Sequence, residues 1–333
     1  MNKSSKVDII VPIHNSLNWL KYCIKAIFKN TDLSILGKVY LIDDFSDKET
    51  KEYLYDMKIK YNDLVEVIEN EENLGFVKTC NKGLRISKSD YVLLLNTDCI
   101  LSKNAILKML NNMKKDKKIG LMCPIASISA NLSYSIPEGM NFMQVNEIFE
   151  KNFLGKTFDA CTVVGNCLMI SRECIKKVGY FDEIFEKGYT EETDYQFKAH
   201  EKGFNAKVAI DTYVYHQCRV SFGESEKQLE IRRRHLKIFF ERWEKEYNKR
   251  MAKYTKNDPI DYINKNVSYD NVKNYMCLKT SKSNTLSLLA PIANELMLEG
   301  VDIQIECTKK ELDNYKGILL LNPIIKKSIF KKR

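Results

Sequence analysis

The chain is poor in the residues that mark several common architectures. Thirteen glycines and six prolines in 333 residues exclude collagen-like and linker-dominated chains. No apolar run approaches the ~18 to 20 residues a membrane-spanning helix needs. Met1–Asp8 is polar and enters a strand-like segment directly, so no signal peptide is expected. No GxG and no GxxxxGK[ST] occurs, which disfavours a dinucleotide dehydrogenase or an ATPase, and no GxSxG nucleophile elbow is present. The ten cysteines run from Cys23 to Cys307 without a CxxC pair. They read as reduced core residues of a cytosolic protein, with no zinc site expected.

What is present describes a globular chain: 44% hydrophobic and 29% charged residues, with a formal charge of +9. The basic excess reads mainly as solubilising lysine, with anionic lipid as the second reading. Nucleic acid is not expected as a partner, because the basic residues are not interleaved with an aromatic strip.

Strand and helix signals alternate through the first half. Apolar runs predict strands at Val7–Ile13, Lys38–Asp43, Leu64–Glu69, Tyr91–Leu95 and Ile119–Pro124. Helical spacing fills Leu17–Asn30, Asp47–Lys60, Phe76–Ser87 and Lys103–Asp116. Strands this apolar are buried on both faces, so the class is α/β, a mostly parallel doubly wound sheet with flanking helices. Beyond Pro124 an irregular stretch reaches Lys156, with a helix near Val145–Lys151. Strands follow at Thr162–Ile170, Lys207–Ile210 and Tyr213–Tyr215, and helices at Arg172–Val178 and Thr193–Lys202. A long charged helix occupies 224–257, with Leu229, Leu236, Phe240, Trp243 and Tyr247 on one stripe and Arg232–Arg234 within it. A linker is expected over 258–270. A small Rossmann-like segment follows over 271–333, with strands at Tyr275–Lys279, Val301–Glu306 and Gly317–Leu321 and a helix at Thr285–Leu298. Too few residues remain there to complete a doubly wound sheet.

With phosphate loops absent, the chemistry falls to carboxylates at the C-terminal ends of strands. Asp43 and Asp44 end the second strand, and Asp98 follows the fourth. Glu191, Glu192 and Asp194 open a helix, and His216 ends the strand TYVYH. Each alone reads equally as a turn former, a helix cap or a packed histidine. Their order along one sheet is the informative feature.

The segments VPIHN (Val11–Asn15), LIDDFSD (Leu41–Asp47), NLGFVKTCNKGL (Asn73–Leu84), LLLNTD (Leu93–Asp98) and VVGNCLMISRECIKKVGYFDEIFEKGYTEETDYQFKAHEKG resemble family 2 glycosyltransferases. The resemblance covers roughly Lys6–Phe222, and HQCRVSF (His216–Phe222) adds similarity to a bacterial surface-polysaccharide type. It implies a GT-A fold over 1–223 and a nucleotide-sugar donor. It would put Pro12, Asn15, Asp43, Asp44, Asn73, Asn81 and Asn96 around that donor. Asp98 would bind a divalent metal, Mg²⁺ or Mn²⁺, with His216 as a second ligand, the usual DxD reading here Asn96-Thr97-Asp98. The family's Glu-Asp pair reads Glu191-Glu192, so Glu192 falls at the general-base position, Glu191 is the second choice, and Asp194 orients the acceptor or caps the helix.

Physical chemistry agrees with this division of labour. A leaving diphosphate is stabilised by a divalent cation on hard oxygen ligands, and an acceptor hydroxyl needs a base, a role an ionised carboxylate fills. The expectation is an inverting, metal-assisted enzyme using a UDP- or dTDP-sugar. Its acceptor would be a growing glycan or lipid-linked glycan, reached from the cytoplasm or the inner membrane face. A catalytically decayed nucleotide-sugar-binding module is the alternative.

Overall fold

The computed structural model describes residues 5–217, 226–269, 276–279 and 285–326. Residues Cys218–Phe222 of the HQCRVSF segment lie outside them, as do Asp270 and Tyr275.

The expected alternation forms. Strands β1 (Val7–Ile13), β2 (Leu36–Asp43), β3 (Val65–Glu69) and β4 (Tyr91–Leu95) are joined through helices α1 (Leu17–Asn30), α2 (Lys48–Lys60) and α3 (Phe76–Ile86). These four strands pair only in parallel, in the order β3-β2-β1-β4. Beyond β4 the sheet becomes mixed. Strand β5 (Cys99–Ile100) and helix α4 (Ala105–Lys114) lead to β6 (Ile119–Ala126). Helix α5 (Phe142–Phe153) and the short β7 (Thr157–Asp159) precede β8 (Cys167–Ser171). Helices α6 (Arg172–Val178) and α7 (Glu191–Glu201) precede β9 (Asn205–His216). The order continues β8-β6-β9-β5, with β7 also on β9. Strand β8 runs antiparallel to both β4 and β6, and β5 and β7 run antiparallel to β9. The result is an α/β sheet that is parallel on one side and mixed on the other.

Burial explains where the sequence pattern was legible. Ile9, Ile10, Val11, Leu93, Leu94 and Leu95 are all excluded from water, as central strands covered on both faces require. The irregular stretch yields a helix longer than its apolar spacing announced. Asn141 accepts from the Gln144 N–H, and the Gln144 side chain returns to the Asn141 N–H, a capping box that starts α5 three residues early. The two short strands expected at 207–215 are one strand. Asp211 interrupts the apolar pattern but is fully paired inside the fold, accepting from Asn112 Nδ2 at 3.0 Å, Gly155 N at 2.7 Å and Thr212 Oγ1 at 2.9 Å.

The long helix α8 (Glu226–Tyr254) is present, but of the expected stripe only the C-terminal part packs, Trp243 against Phe197 and Tyr247 against Phe239. Leu229, Leu236 and Phe240 are exposed, while His235, Phe239 and Tyr254 are buried. In the first half the packed face is rotated by one residue, about 100°, because His235 and Phe239 meet Phe185 and Phe197. The expected linker carries helix α9 (Pro259–Asn266), whose first N–H groups bond to the Asp258 carboxylate with Pro259 in the first turn.

The final segment forms a second parallel sheet, β10 (Met276–Lys279), β11 (Ile303–Cys307) and β12 (Ile324–Ile325), with helices α10 (Thr285–Leu298) and α11 (Lys309–Asn314). No strand forms over 317–321. The backbone there is held by side chains instead: Asn294 donates to Ile318 O at 2.9 Å and accepts from Leu320 N at 2.9 Å. Asn322 donates to Ile136 O, and Lys29 pairs with Glu299 at 2.6 Å, tying this segment to the large sheet.

Candidate active site

Six of the seven non-glycine residues described with left-handed backbone lie in turns at one edge of the large sheet or leading to it. Asn15 and Ser16 follow β1, Phe45 follows β2, and Glu186, Tyr189 and Thr190 precede α7. Such conformations cost energy and gather where a site dictates the backbone. The turns are mutually braced. Asp44 Oδ1 accepts from Leu74 N at 2.8 Å and from Asn70 Nδ2 at 2.9 Å, and its Oδ2 accepts from Gly75 N at 2.9 Å. Gly75 has φ 84°, and a Cβ there would lie 3.2 Å from Glu186 O, so the close approach of the two loops requires glycine.

These bonds correct one expectation. Asp44 is 4% exposed and occupied by three N–H donors, so it fixes the 70–75 loop rather than facing a ligand. Asp43 differs: its Oδ1 accepts from Ser46 N, while its Oδ2 has no hydrogen bond and faces Lys51 at 3.8 Å. Asn15 joins the first two turns, its N–H reaching Ser46 Oγ and its Oδ1 accepting from Asp47 N, both at 2.8 Å. Pro12 is half-buried on β1 beside Ile42. Asn73 is exposed and contacts His14, which itself bonds Asp44 O at 2.9 Å. His14 escaped the sequence reading although it lies inside VPIHN. Asn81 is a second correction. It is fully buried on α3, donating to Phe181 O and accepting from Phe181 N, each at 2.9 Å, so it braces the segment before α7 and has no amide group left for a donor.

Asp98 and His216 come together at the end of β9. Their backbones are neighbours through the Cys99–His216 register, and His216 Nε2 lies 3.5 Å from Asp98 Oδ1. His216 Nδ1 contacts Ile128 O at 2.6 Å, so Nδ1 donates to that carbonyl and Nε2 is the nitrogen that faces Asp98. The other histidines are otherwise engaged. His200 lies between Phe204 O and Gln196, its pKa pushed down to about 4, mainly by burial, and His235 bonds Gly188 O. His216 is the histidine whose free nitrogen faces a carboxylate, a mixed O/N donor pair suited to a divalent ion.

Strand β4, which precedes Asp98, ends at Leu95 beside the start of the antiparallel β8 at Cys167, so Asn96 and Asn166 leave the same edge. Asn96 N donates to Asn166 O at 2.9 Å. Asn96 Oδ1 and both amide atoms of Asn166 are buried without a hydrogen-bond partner, and Asn166 is 6% exposed. Glu192 lies against Gly165, with its Cδ 3.7 Å from where a Cβ of residue 165 would stand. Glu191 Oε2 and Glu192 Oε2 are also buried and unpartnered. Burial and the neighbouring Glu192 hold the Glu191 carboxyl well above the ordinary carboxylate range. Burial raises Glu192 as well, opposed by backbone N–H groups that include those of Gly165, Thr193 and Thr190. A buried polar atom left unpaired costs about 1–3 kcal/mol. Asn96 and Asn166 at the sheet edge and Glu191 and Glu192 at the start of α7 all bear such atoms. Asn166 was passed over because the sequence reading put it inside a strand, Thr162–Ile170, which in fact begins at Cys167; the signal available was its place in VVGNC.

Asp194 stands apart from this group, a third correction. It neither caps α7 nor faces the cleft, because Arg242 Nη1 at 3.0 Å, Trp243 Nε1 at 2.8 Å and Lys198 Nζ at 2.8 Å occupy it. It anchors α8. The same helix holds the strained turn through the His235 bond to Gly188 O at 2.8 Å and the Arg234–Glu186 pair at 2.8 Å. A groove of about 1220 Å³ lies elsewhere, between α1, α2 and α10, lined by Trp19, Tyr22, Tyr53 and Tyr315 among others and containing none of the expected site residues. Its tyrosines and lysines stack and pair among themselves, so the unpaired carboxylates identify the chemistry better than the volume does. Among the described residues no set of three or more His, Cys, Asp or Glu is placed to hold a metal, and no helix is long and apolar enough to cross a membrane.

Residues 8–179 match the family model described as Glycosyl transferase family 2. The probable N-acetylgalactosaminyltransferase 7 of Caenorhabditis elegans is 24% identical over 321 residues, 83% of this chain and 53% of that protein. The poly-beta-1,6-N-acetyl-D-glucosamine synthase of Staphylococcus aureus is 26% identical over 172 residues, 51% of this chain and 40% of that protein. Among solved structures, GalNAc-T7 with UDP, GalNAc and Mn²⁺ superposes with a TM-score of 0.58 at 20% identity, over 74% of this chain and 50% of that one. The chain thus spans about half the length, or less, of these relatives. The expected GT-A-like α/β fold is borne out.

Proposed function

We propose that this chain, which belongs to glycosyl transferase family 2, transfers a sugar from a UDP- or dTDP-sugar to a hydroxyl of a growing glycan, inverting the anomeric centre. The carrying observation is the pair of glutamates with buried, unpartnered oxygens at the start of α7, in a fold whose sheet also brings Asp98 and His216 together. Asp98 and His216 would hold Mn²⁺ or Mg²⁺, and Nδ1 of His216, anchored on Ile128 O, keeps its other nitrogen available. Bound there, the ion would neutralise charge on the departing diphosphate. A solved neighbour with UDP and Mn²⁺ supports both choices.

Glu192 is the base in this reading. It is the more open of the two glutamates, and burial strengthens its hold on a proton taken from the acceptor. Burial and the neighbouring Glu192 strengthen the hold of Glu191 on its proton, which disfavours a second adjacent negative charge. Pro12, Asn15 and Asp43, at the ends of β1 and β2, would border the nucleotide, with Asn96 beside the sugar. The relatives include animal N-acetylgalactosaminyltransferases and a staphylococcal polysaccharide synthase, so the acceptor is proposed no more finely than a glycan. A lipid-linked acceptor on the cytoplasmic face of a membrane is supported by exposed Leu229, Leu236 and Phe240 beside Arg232 and Arg233 on α8.

Thermal shift against UDP-, dTDP- and GDP-sugars, with and without Mn²⁺, tests the donor. The expected result is stabilisation by at least one nucleotide sugar that increases with metal. No stabilisation by any donor rejects the reading, and stabilisation without turnover favours the decayed binding module. Where turnover occurs, the product's anomeric configuration by NMR decides inversion.

A further inference from the structure

We propose that Asn166 reads the hydroxyl or acetamido pattern of the transferred sugar and sets donor specificity. The inference rests on the transferase reading above and deepens it. Asn166 carries an amide with one acceptor and two donors, all removed from water and none paired within the protein. Its carbonyl accepts from Asn96 N at 2.9 Å, and the residue stands directly before β8. The carbonyl is thus taken by the protein while the side chain is not. Asn96, whose N–H bonds the Asn166 carbonyl, and Glu192, which lies against Gly165, each carry a further unpartnered oxygen, Oδ1 and Oε2. Gly165, which precedes Asn166, runs along the Glu192 carboxyl without a side chain to intervene.

The chemistry this recognises is specific. Amide oxygen needs a donor, and amide nitrogen needs an acceptor. Neighbouring ring hydroxyls, or a hydroxyl beside an acetamido group, supply both at once. An epimer or deoxy analogue that misplaces one of them leaves a buried amide atom unpaired, the situation in which polar sites discriminate most strongly. The nucleotide is expected at other turns, beyond β1 and β2, so its affinity should be independent of residue 166.

The test measures dissociation constants of wild type, Asn166→Ala and Asn166→Ser for UDP-Glc, UDP-Gal, UDP-GlcNAc, UDP-GalNAc and UDP alone, in Mn²⁺, with the dTDP series in parallel. The wild type should spread these sugars over at least about tenfold in affinity. Both variants should compress the spread to within about threefold while UDP or dTDP alone stays within about twofold. A spread retained in either folded variant overturns the proposal and leaves Asn166 a packing residue on buried water; should Asn166→Ala not fold, Asn166→Ser decides. A uniform loss of affinity that includes free nucleotide also overturns it. Failure of the wild type to bind any nucleotide or nucleotide sugar is a different result, visible before any variant is made, and removes the transferase reading itself.

Discussion

Two regions of the fold treat buried acid in opposite ways. At the start of β1, Asp8 is 2% exposed and takes four donors: Lys38 N and Ser89 Oγ on Oδ1 at 2.8 and 2.7 Å, Lys88 N and Ser89 N on Oδ2 at 2.7 and 2.9 Å. At the start of α7 Glu191 is 3% exposed and keeps an oxygen with no partner. Burial is the same and satisfaction is not. The first carboxylate closes loops and serves the fold. The second, like Glu192, Asn96 and Asn166, is held in a deficit that the fold alone does not repay. Asp194 repeats the lesson within one helix: three residues beyond Glu191, it is saturated by Arg242, Trp243 and Lys198 and serves α8.

Four experiments sharpen or break that contrast. The largest effect is expected from Asp8→Ala, which strands three backbone N–H groups; it should destabilise by about 3–5 kcal/mol in urea unfolding, with nucleotide affinity of the folded fraction unchanged. A loss under about 1 kcal/mol would show that the saturated carboxylate matters little. Glu192→Gln should leave stability nearly untouched and reduce kcat at least about 100-fold, equivalent to about 2.7 kcal/mol of barrier, with donor binding retained. Unchanged turnover would remove Glu192 as the base. His216→Ala and Asp98→Ala should each weaken Mn²⁺ binding in the presence of nucleotide by about tenfold or more, measured by calorimetry. Equal nucleotide affinity with and without metal in the wild type would reject the metal role.

The smallest effect concerns pH. Glu191 holds its proton to higher pH than an unfolded glutamate near ~4.3 does. Above that value the native state binds more protons than the unfolded one, so this residue's contribution to stability falls as pH rises toward its folded pKa. Glu191→Gln cannot ionise. It should match wild type at pH 4 and melt about 2 °C higher at pH 8. A gap that stays constant across pH would mean that Glu191 is ionised in the native protein.

Legibility followed the periodicity. Strands β1, β2 and β4 and helix α1 were read almost to the residue, because doubly buried strands and an amphipathic helix leave their period in the chain. Glu191, Glu192, Asp98 and His216 were singled out because several short motifs occur in one order. Asp44, Asn81 and Asp194 were misread for a shared reason. A polar residue at a strand end or helix start looks the same whether it meets a ligand or three N–H groups from distant loops. The first half of the α8 stripe failed differently, since a helix of alternating charge and aromatics offers two adjacent apolar faces and only its partners select one.

The sequence by itself determined the alternation of strands and helices, the edge at which acid collects, and the family, since these depend on local period and residue order. Tertiary structure alone decided which acids remain unpaired. Hydrogen-bond donors for a buried carboxylate arrive from residues 26 to 81 positions away, as with Asp8 and Asp44, and no local pattern in the chain announces their arrival or their absence.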